Sequence, residues 1–536
     1  METIPIPPVE IPVPPVTIPV PQVPFTDLLR MVPIPRPTQP EIKELVLRPW
    51  QIEWAQRAYQ ILLRNHGYID TSRMGCGKTY VLLWLAKQFG FSILIVCPVI
   101  MIDVWKRTAE EYGVNVIDII SYQSLRSKRH HQPKHGYLHR HDTLMEDGKN
   151  QVSFTPTQAY LDLVERGVMV VCDEIQYIKN NSNQYKACNA LIHPIITGGG
   201  VSRFGLLSAT PFDKQKHAIN LLKLIGYIRA YHLYTIRNNH MVLEGAQELI
   251  DACRFIDETE TNRILDIIHP SKQNMINLCY TLYKEVIKPN ISGAMPTPTT
   301  IAGQLDIKNG LFTITPPYNA DLSDGLHKLR KALRMADDAI YVPEDAEIDW
   351  RKVTLALVAI ENAKAFDMAR AAIRILNQHP NNKVIISVNY TSTLERIVQL
   401  VQAYDPLILN GQIPVKKRGP IVRAFNTNMT KRLMIMNTAV GGMGISLHDT
   451  VGNAPRFMFI SPSFKMLEII QASGRIYRDG TLSDAFVRIF YGDDGLVEGN
   501  ILSVLARKTD VVRGTLHAEV TQDVILPGDY EYENMY

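Results

Sequence analysis

The 536-residue sequence predicts an α/β fold with two parallel-sheet lobes, a largely helical region between them and a proline-rich N-terminal arm. Three observations carry this. Between Leu47 and Tyr227, short apolar runs at Ser92–Cys97, Val168–Cys172 and Phe204–Leu207 alternate with helical patterns. Such runs fit strands of a mostly parallel sheet, covered on both faces. The same rhythm restarts near Arg351, with a helix over Ala359–Asn377, a strand over Lys383–Val388, a helix over Ser392–Tyr404 and a strand over Arg432–Asn437. Between the two, Tyr231–Lys288 reads as mainly helical and Asn290–Pro317 is rich in Pro, Thr and Gly, which marks an inserted or bridging region. The predicted division is an arm over 1–40, a first lobe over 41–227, an intervening region over 228–350, a second lobe over 351–510 and a tail over 511–536.

Taken from the start, residues 1–40 hold 13 of the 33 prolines, in strings such as Ile18-Pro19-Val20-Pro21. Proline removes backbone donors and fixes φ, so this arm is expected to be extended polyproline II. It reads either as a linker or tail, or, given its Val and Ile content, as a strap that docks on a partner or on the protein's own surface. Net charge is only +4, from 57 basic and 53 acidic residues, so any basic tract must be local. Six cysteines without a C-x-x-C pair read as buried and reduced. The longest apolar stretch, Phe91–Ile102, is too short to span a bilayer, and the N-terminus has no charged-then-apolar secretory pattern. A soluble intracellular protein with no membrane partner is expected.

Residues 72–79 read Ser-Arg-Met-Gly-Cys-Gly-Lys-Thr, between a short extended stretch and the helical run Tyr80–Phe89. This is the pattern of a phosphate-binding loop. Backbone N–H groups of Met74, Gly75, Cys76 and Gly77 can curl around an anion, Lys78 supplies a point charge for the β- and γ-phosphates, and the Thr79 hydroxyl can ligate Mg²⁺. Val170-Val171-Cys172-Asp173-Glu174 then ends a strand in two carboxylates. Asp173 is placed to hold Mg²⁺ and Glu174 to polarise an attacking water. Ser208 and Thr210 in Leu207-Ser208-Ala209-Thr210-Pro211 close another strand and can bridge the carboxylates to whatever moves on hydrolysis. Far downstream, Arg475 and Arg478 are three apart, which on a helix puts both on one face, and guanidinium forks suit a γ-phosphate. Segment 126–141 carries Arg126, Lys128, Arg129, Lys134, Arg140 and five histidines; a solvated loop, a phosphate-contacting loop and a metal site are all open.

From Leu47 to Lys508 these strings together resemble superfamily 2 helicases, and among them the Swi/Snf-type DNA translocases. Leu47-Arg48-Pro49-Trp50-Gln51 is similar to the Gln motif that recognises adenine, and Cys97-Pro98 with Trp105 to the first nucleic-acid motif. Asp173-Glu174-Ile175-Gln176-Tyr177-Ile178-Lys179-Asn180 resembles the extended Asp-Glu box. Leu409-Asn410-Gly411-Gln412 with Phe425-Asn426 looks like the stretch before motif V, Thr438–Leu447 resembles motif V itself, and Gln471–Arg478 is similar to the arginine motif. The resemblance implies two RecA-like lobes, ATP with Mg²⁺, a nucleotide contact by Gln51, and coupling or nucleic-acid contacts by Ser208, Thr210, Gly441, Gly442 and Gln471. The partner it implies is nucleic acid, duplex DNA first. A transcript-displacing RNA helicase and a structural nucleic-acid-binding component are the alternatives. Gln176 stands where many relatives have His, and Ser72-Arg73 where translocases usually carry Asp-Glu. The compact length and proline arm look like helicase-like ATPases of large DNA viruses or phages, which would place the chain in host cytoplasm, nucleus or virion.

Overall fold

The computed structural model describes residues 42–127, 135–145, 148, 150–298, 300–333, 348–441, 445–492, 508, 511–515 and 532–535. The proline-rich arm, with both readings of its role, lies outside them.

Two large sheets dominate, and every strand pairing in both is parallel. The first runs Ser292–Gly293, Gly67–Asp70, Arg203–Leu207, Val168–Asp173, Ser92–Cys97, Val116–Ser121 in spatial order. Alternate residues of its strands feed two cores. Leu94, Val96, Val170 and Cys172 pack with the helices Asn183–Thr197 and Lys216–Leu224 on one face. Ile93, Ile95, Met169 and Val171 pack with the helices Pro49–Arg64 and Lys78–Phe89 on the other. Both faces being covered is why these strands read as unbroken apolar runs. Each buried Val, Leu or Ile contributes about 1.5–3 kcal/mol relative to exposure.

The second sheet runs Leu407–Leu409, Leu433–Asn437, Lys383–Val388, Arg456–Ile460, Ala485–Gly492, Leu305–Phe312, Tyr532–Met535. Its faces pack against the 29-residue helix Trp350–Gln378 with Tyr318–Ala332, and against the helix Met466–Ser473. Asp349 caps the long helix by accepting from Arg351 N–H.

The structure adds four strands to a stretch that reads from sequence as helical or irregular. Tyr234–Arg237 and His240–Leu243 form a hairpin, Ser292–Gly293 extends the first sheet, and Leu305–Phe312 joins the second in register with Ala485–Gly492. Lys308-Asn309-Gly310 breaks the strand signal of the last, and burial between two neighbours overrides its weak propensity. The helices Gly245–Ile256, Glu258–Ile267 and Met275–Leu282 share the core of the first sheet. All six cysteines are free and buried. No helix among the described residues is long and apolar enough to cross a membrane.

This topology positions the chemistry. Strand Arg203–Leu207 lies between Gly67–Asp70 and Val168–Asp173, and Leu207 is in register with both Asp70 and Asp173. The segments after Asp70, Asp173 and Leu207 therefore emerge side by side at the carboxyl edge of the sheet, where open α/β folds bind ligands.

Candidate active site between the lobes

The 72–79 turn needs its glycines. Gly75 has φ +84° and Gly77 has φ +90°, and Gly77 caps the helix Lys78–Phe89 from the left-handed region. The turn is held from beneath by Gln51, whose Nε2 donates to Cys76 O (3.0 Å) while its Oε1 accepts from Arg48 N–H (2.9 Å). Gln51 is buried and thus braces the loop. Lys78 Nζ donates to Ser72 O (2.8 Å) and Arg73 O (3.1 Å), so its ammonium lies folded over the loop's own carbonyls. Thr79 is the second residue of the same helix.

Asp173 ends its strand buried, and Trp105 Nε1 donates to its Oδ2 (2.9 Å). Burial and then the neighbouring Glu174 carboxylate push its pKa up to about 7. Glu174 adopts φ +58°, an uncommon conformation for a non-glycine residue, which turns the chain sharply at the sheet edge. Two adjacent carboxylates beside a lysine-bearing loop are a donor set suited to a hard divalent cation, so the residues present fit Mg²⁺. From Glu174 a chain of hydrogen bonds runs sideways. Gln176 Nε2 donates to Glu174 Oε2 (2.6 Å), Ser208 Oγ to Gln176 Oε1 (2.7 Å), and Thr210 N–H to Ser208 Oγ (3.0 Å). Gln176, a departure from the usual residue, thus joins the carboxylate to the next strand end.

Arg475 and Arg478 come to this site from the second lobe, but not from a helix. The helix Met466–Ser473 stops at Gly474, and both arginines lie in the turn beyond it. The expectation of one helical face is corrected: the helix ends at Ser473, two residues before Arg475 and five before Arg478. Arg478 Nη1 donates to Ile445 O (3.2 Å) and to Ser446 Oγ. A Cβ built on Gly75 would stand 2.8 Å from Arg478 Cβ, so the two lobes touch at the loop. Arg475 is buried, which lowers its pKa, and the charge of nearby Glu174 partly offsets that lowering. Burial and then Arg475 bring Arg478 down to about 9.

Residues 367–480 match the helicase conserved C-terminal domain family. A putative ATP-dependent RNA helicase of Acanthamoeba polyphaga mimivirus is 24% identical over 487 residues, covering 86% of this chain and 82% of that protein. The human DNA repair and recombination protein RAD54-like is 22% identical over 491 residues, covering 82% of this chain and 62% of that protein. The chain is similar to helicases: it matches the helicase C-terminal family over 367–480, and most of its length aligns with an ATP-dependent helicase and a RAD54-like protein. Its enzyme class is that of nucleic-acid-dependent ATP hydrolases. Among solved structures, the Sulfolobus solfataricus SWI2/SNF2 ATPase core in complex with dsDNA aligns over 89% of this chain and 98% of that chain, at 15% identity and a TM-score of 0.30.

Other residues singled out from this helicase-like sequence fall as follows. Met74 reaches the second lobe, its Cε 2.5 Å from a Cβ built on Gly474. Gln471 lines an interlobe cleft of about 400 Å³ with Gln176, Lys179, Asp213, Lys465 and Lys508. Gly441 is the last residue of the helical turn Thr438–Gly441, and Gly442 lies outside the described residues. In segment 126–141, Leu138–Leu144 is a strand of a hairpin with Asn150–Pro156, where a loop is expected from composition. Arg140 there pairs with Asp142 and donates to Arg126 O (2.6 Å), and His135 meets Leu125 O. Lys128, Arg129 and Lys134 lie outside the described residues. Among those described, no three His, Cys, Asp or Glu side chains gather as a metal-binding group.

Sequence reasoning missed Arg73, which crosses to the linker and the second lobe, and Tyr477, which receives it. The departure from Asp-Glu at 72–73 was the available signal.

Proposed function

We propose that the chain is a DNA-stimulated ATPase that moves along duplex DNA, with nucleotide held between its lobes. The observation that carries this reading is the approach of Arg475 and Arg478 to Glu174 and the Gly75 turn across the lobe interface. In it, Gly75–Thr79 cradles the phosphates, with the Gly77 N–H and the start of the Lys78–Phe89 helix facing the anion. Lys78 leaves the carbonyls of Ser72 and Arg73 for the phosphates. Thr79 and Asp173 hold Mg²⁺, which when bound neutralises phosphate charge during transfer. Glu174 orients water, and Gln176, Ser208 and Thr210 carry the change at Glu174 toward the first lobe's neighbouring strand end. The two arginines complete the site only when the lobes close, so hydrolysis releases the grip of one lobe on the other.

Duplex DNA is favoured by the RAD54-like relative's name and by the resemblance of the Asp173–Asn180 box to translocases. The mimivirus relative's name favours RNA. Backbone contacts suffice for either, so no base-sequence preference is expected. ATP hydrolysis measured with duplex DNA, single-stranded DNA and RNA as stimulators separates the readings. Strongest stimulation by duplex supports translocation on DNA; strongest stimulation by RNA replaces it with the RNA reading, and no stimulation by any leaves a structural component.

A further inference from the structure

Arg73 belongs to the Gly-rich turn yet spends its side chain elsewhere. Its Nη1 donates to Thr297 Oγ1 (3.2 Å) in the stretch that leaves the first sheet for the second, and its guanidinium carbon lies 5.9 Å from the centre of the Tyr477 ring. Tyr477 sits between Arg475 and Arg478, and its hydroxyl donates to Gly303 O (3.2 Å). The neighbouring contacts run the same way: Thr71 N–H donates to Gly293 O (2.9 Å) and Met295 N–H to Ser72 Oγ (2.8 Å). The start of the turn is therefore tied, at three successive residues 71, 72 and 73, to the edge strand Ser292–Gly293 and the chain that leaves it for the second lobe. Only Arg73 continues past the linker to the second lobe.

We propose that Arg73 is a positioning residue that pins the arginine-bearing turn 475–478 to the nucleotide loop through the face of Tyr477. Beyond the helix end, Arg475 N–H donates to Ala472 O (3.0 Å) and Ile476 N–H to Ser473 O (3.4 Å), while Tyr477 and Arg478 lie past these bonds and are placed by contacts outside the helix. Leu447 N–H donates to Arg475 O (2.8 Å) at one end and Arg478 N–H donates to Thr481 Oγ1 (3.0 Å) at the other. Arg73 and Gly303 O hold the middle. Because Arg73 O also accepts from Lys78 Nζ, release of that ammonium to a phosphate changes the same residue that grips Tyr477. A cation over an aromatic face tolerates small lobe rotations, which a fixed ion pair would not. Glutamate, which many relatives have here, could not make this contact, since a carboxylate is repelled by the ring face.

This inference rests on the ATPase reading, and its test keeps the two apart. Steady-state ATP hydrolysis by the full chain with Mg²⁺ and duplex DNA is measured for the wild type, Lys78→Ala, Arg73→Ala, Arg73→Lys, Tyr477→Leu, the Arg73→Ala/Tyr477→Leu double variant and Thr297→Val, each checked for an unchanged melting curve. Arg73→Ala and Tyr477→Leu are expected to lower kcat by about 2- to 30-fold, the span of a cation–π contact, with KM for ATP within about two-fold. The double variant should be no worse than the poorer single one, and Arg73→Lys should recover most of the rate. Thr297→Val, which leaves the Tyr477 contact in place, should cost less than Arg73→Ala. Multiplying losses in the double variant, a change confined to KM, or full activity of Arg73→Ala beside a dead Lys78→Ala would overturn the pin while leaving the ATPase reading intact. Full activity of Lys78→Ala, or no hydrolysis by the wild type, would instead remove the reading itself.

Discussion

Lys78 is half-buried, and its ammonium rests on Ser72 O and Arg73 O. Lys78→Ala should therefore leave the melting temperature within about 2–4 °C of wild type, the shift that 1 kcal/mol produces in a large domain, while hydrolysis falls by at least about 100-fold. Differential scanning fluorimetry and a phosphate-release assay check both halves. Glu174→Gln keeps an oxygen to accept from Gln176 Nε2, so the side-chain relay survives and only the carboxylate's charge is lost. Nucleotide binding should persist with turnover abolished, as measured by a fluorescent ATP analogue alongside hydrolysis. Residue identities at this site were legible because phosphate binding demands glycine at φ > 0 and carboxylates at a strand end, and both leave a mark in sequence. The partners of those residues were not. Nothing in the string shows that Trp105 donates to Asp173, or that Gln51 braces Cys76 O from beneath, since both depend on elements that meet only in the fold.

At the scale of elements, Ser92–Cys97 and Lys383–Val388 have the bounds that their apolar runs predict, and the Val168 strand extends one residue further, to Asp173. Leu305–Phe312 escaped detection because Asn309-Gly310 interrupts it, and Ser292–Gly293 is too short to carry a pattern. The helix end at Gly474 could have been found, since glycine at that position is a stop signal. The 445–449 loop, which receives both interlobe arginines, has its own support. Arg456, fully buried, donates to Leu447 O (2.8 Å) and faces Asp449 Oδ1 (3.8 Å), and Asp449 accepts from the N–H groups of Val451, Gly452 and Ala454. Asp449→Ala would strand a buried guanidinium and three N–H groups. It should cost about 3–5 kcal/mol of second-lobe stability in urea unfolding, and should slow hydrolysis through Arg478. A loss under about 1 kcal/mol would show that the carbonyls around Arg456 suffice without the carboxylate.

Over the whole molecule, two buried histidines set an acid limit on stability. Burial first, and nearby cations second, bring His217 and His448 down to about 4 from an ordinary value of 6.5. Between these values the unfolded chain binds more protons than the native one, so stability rises with pH across this window and is lost as pH falls through it. Each histidine should remove on the order of 2 kcal/mol between pH 7.5 and 5. Urea midpoints at the two pH values test this, and His217→Gln should flatten the difference. His217 lies in the cleft with Asp213, which Lys179 and Lys508 bridge at 2.7 and 3.2 Å, so acid would loosen contacts near the lobe interface first.

The central claim is that one active site is assembled from both lobes, and its most direct test is ATP turnover by Arg475→Ala and Arg478→Ala at saturating duplex DNA, with ATP affinity measured in parallel. Each variant should lose at least about 100-fold in kcat, in keeping with a cation that stabilises charge only in the closed state, while nucleotide affinity changes by less than about five-fold. Turnover within about two-fold of wild type in both well-folded variants would contradict the account, because the first lobe alone would then suffice for the chemistry.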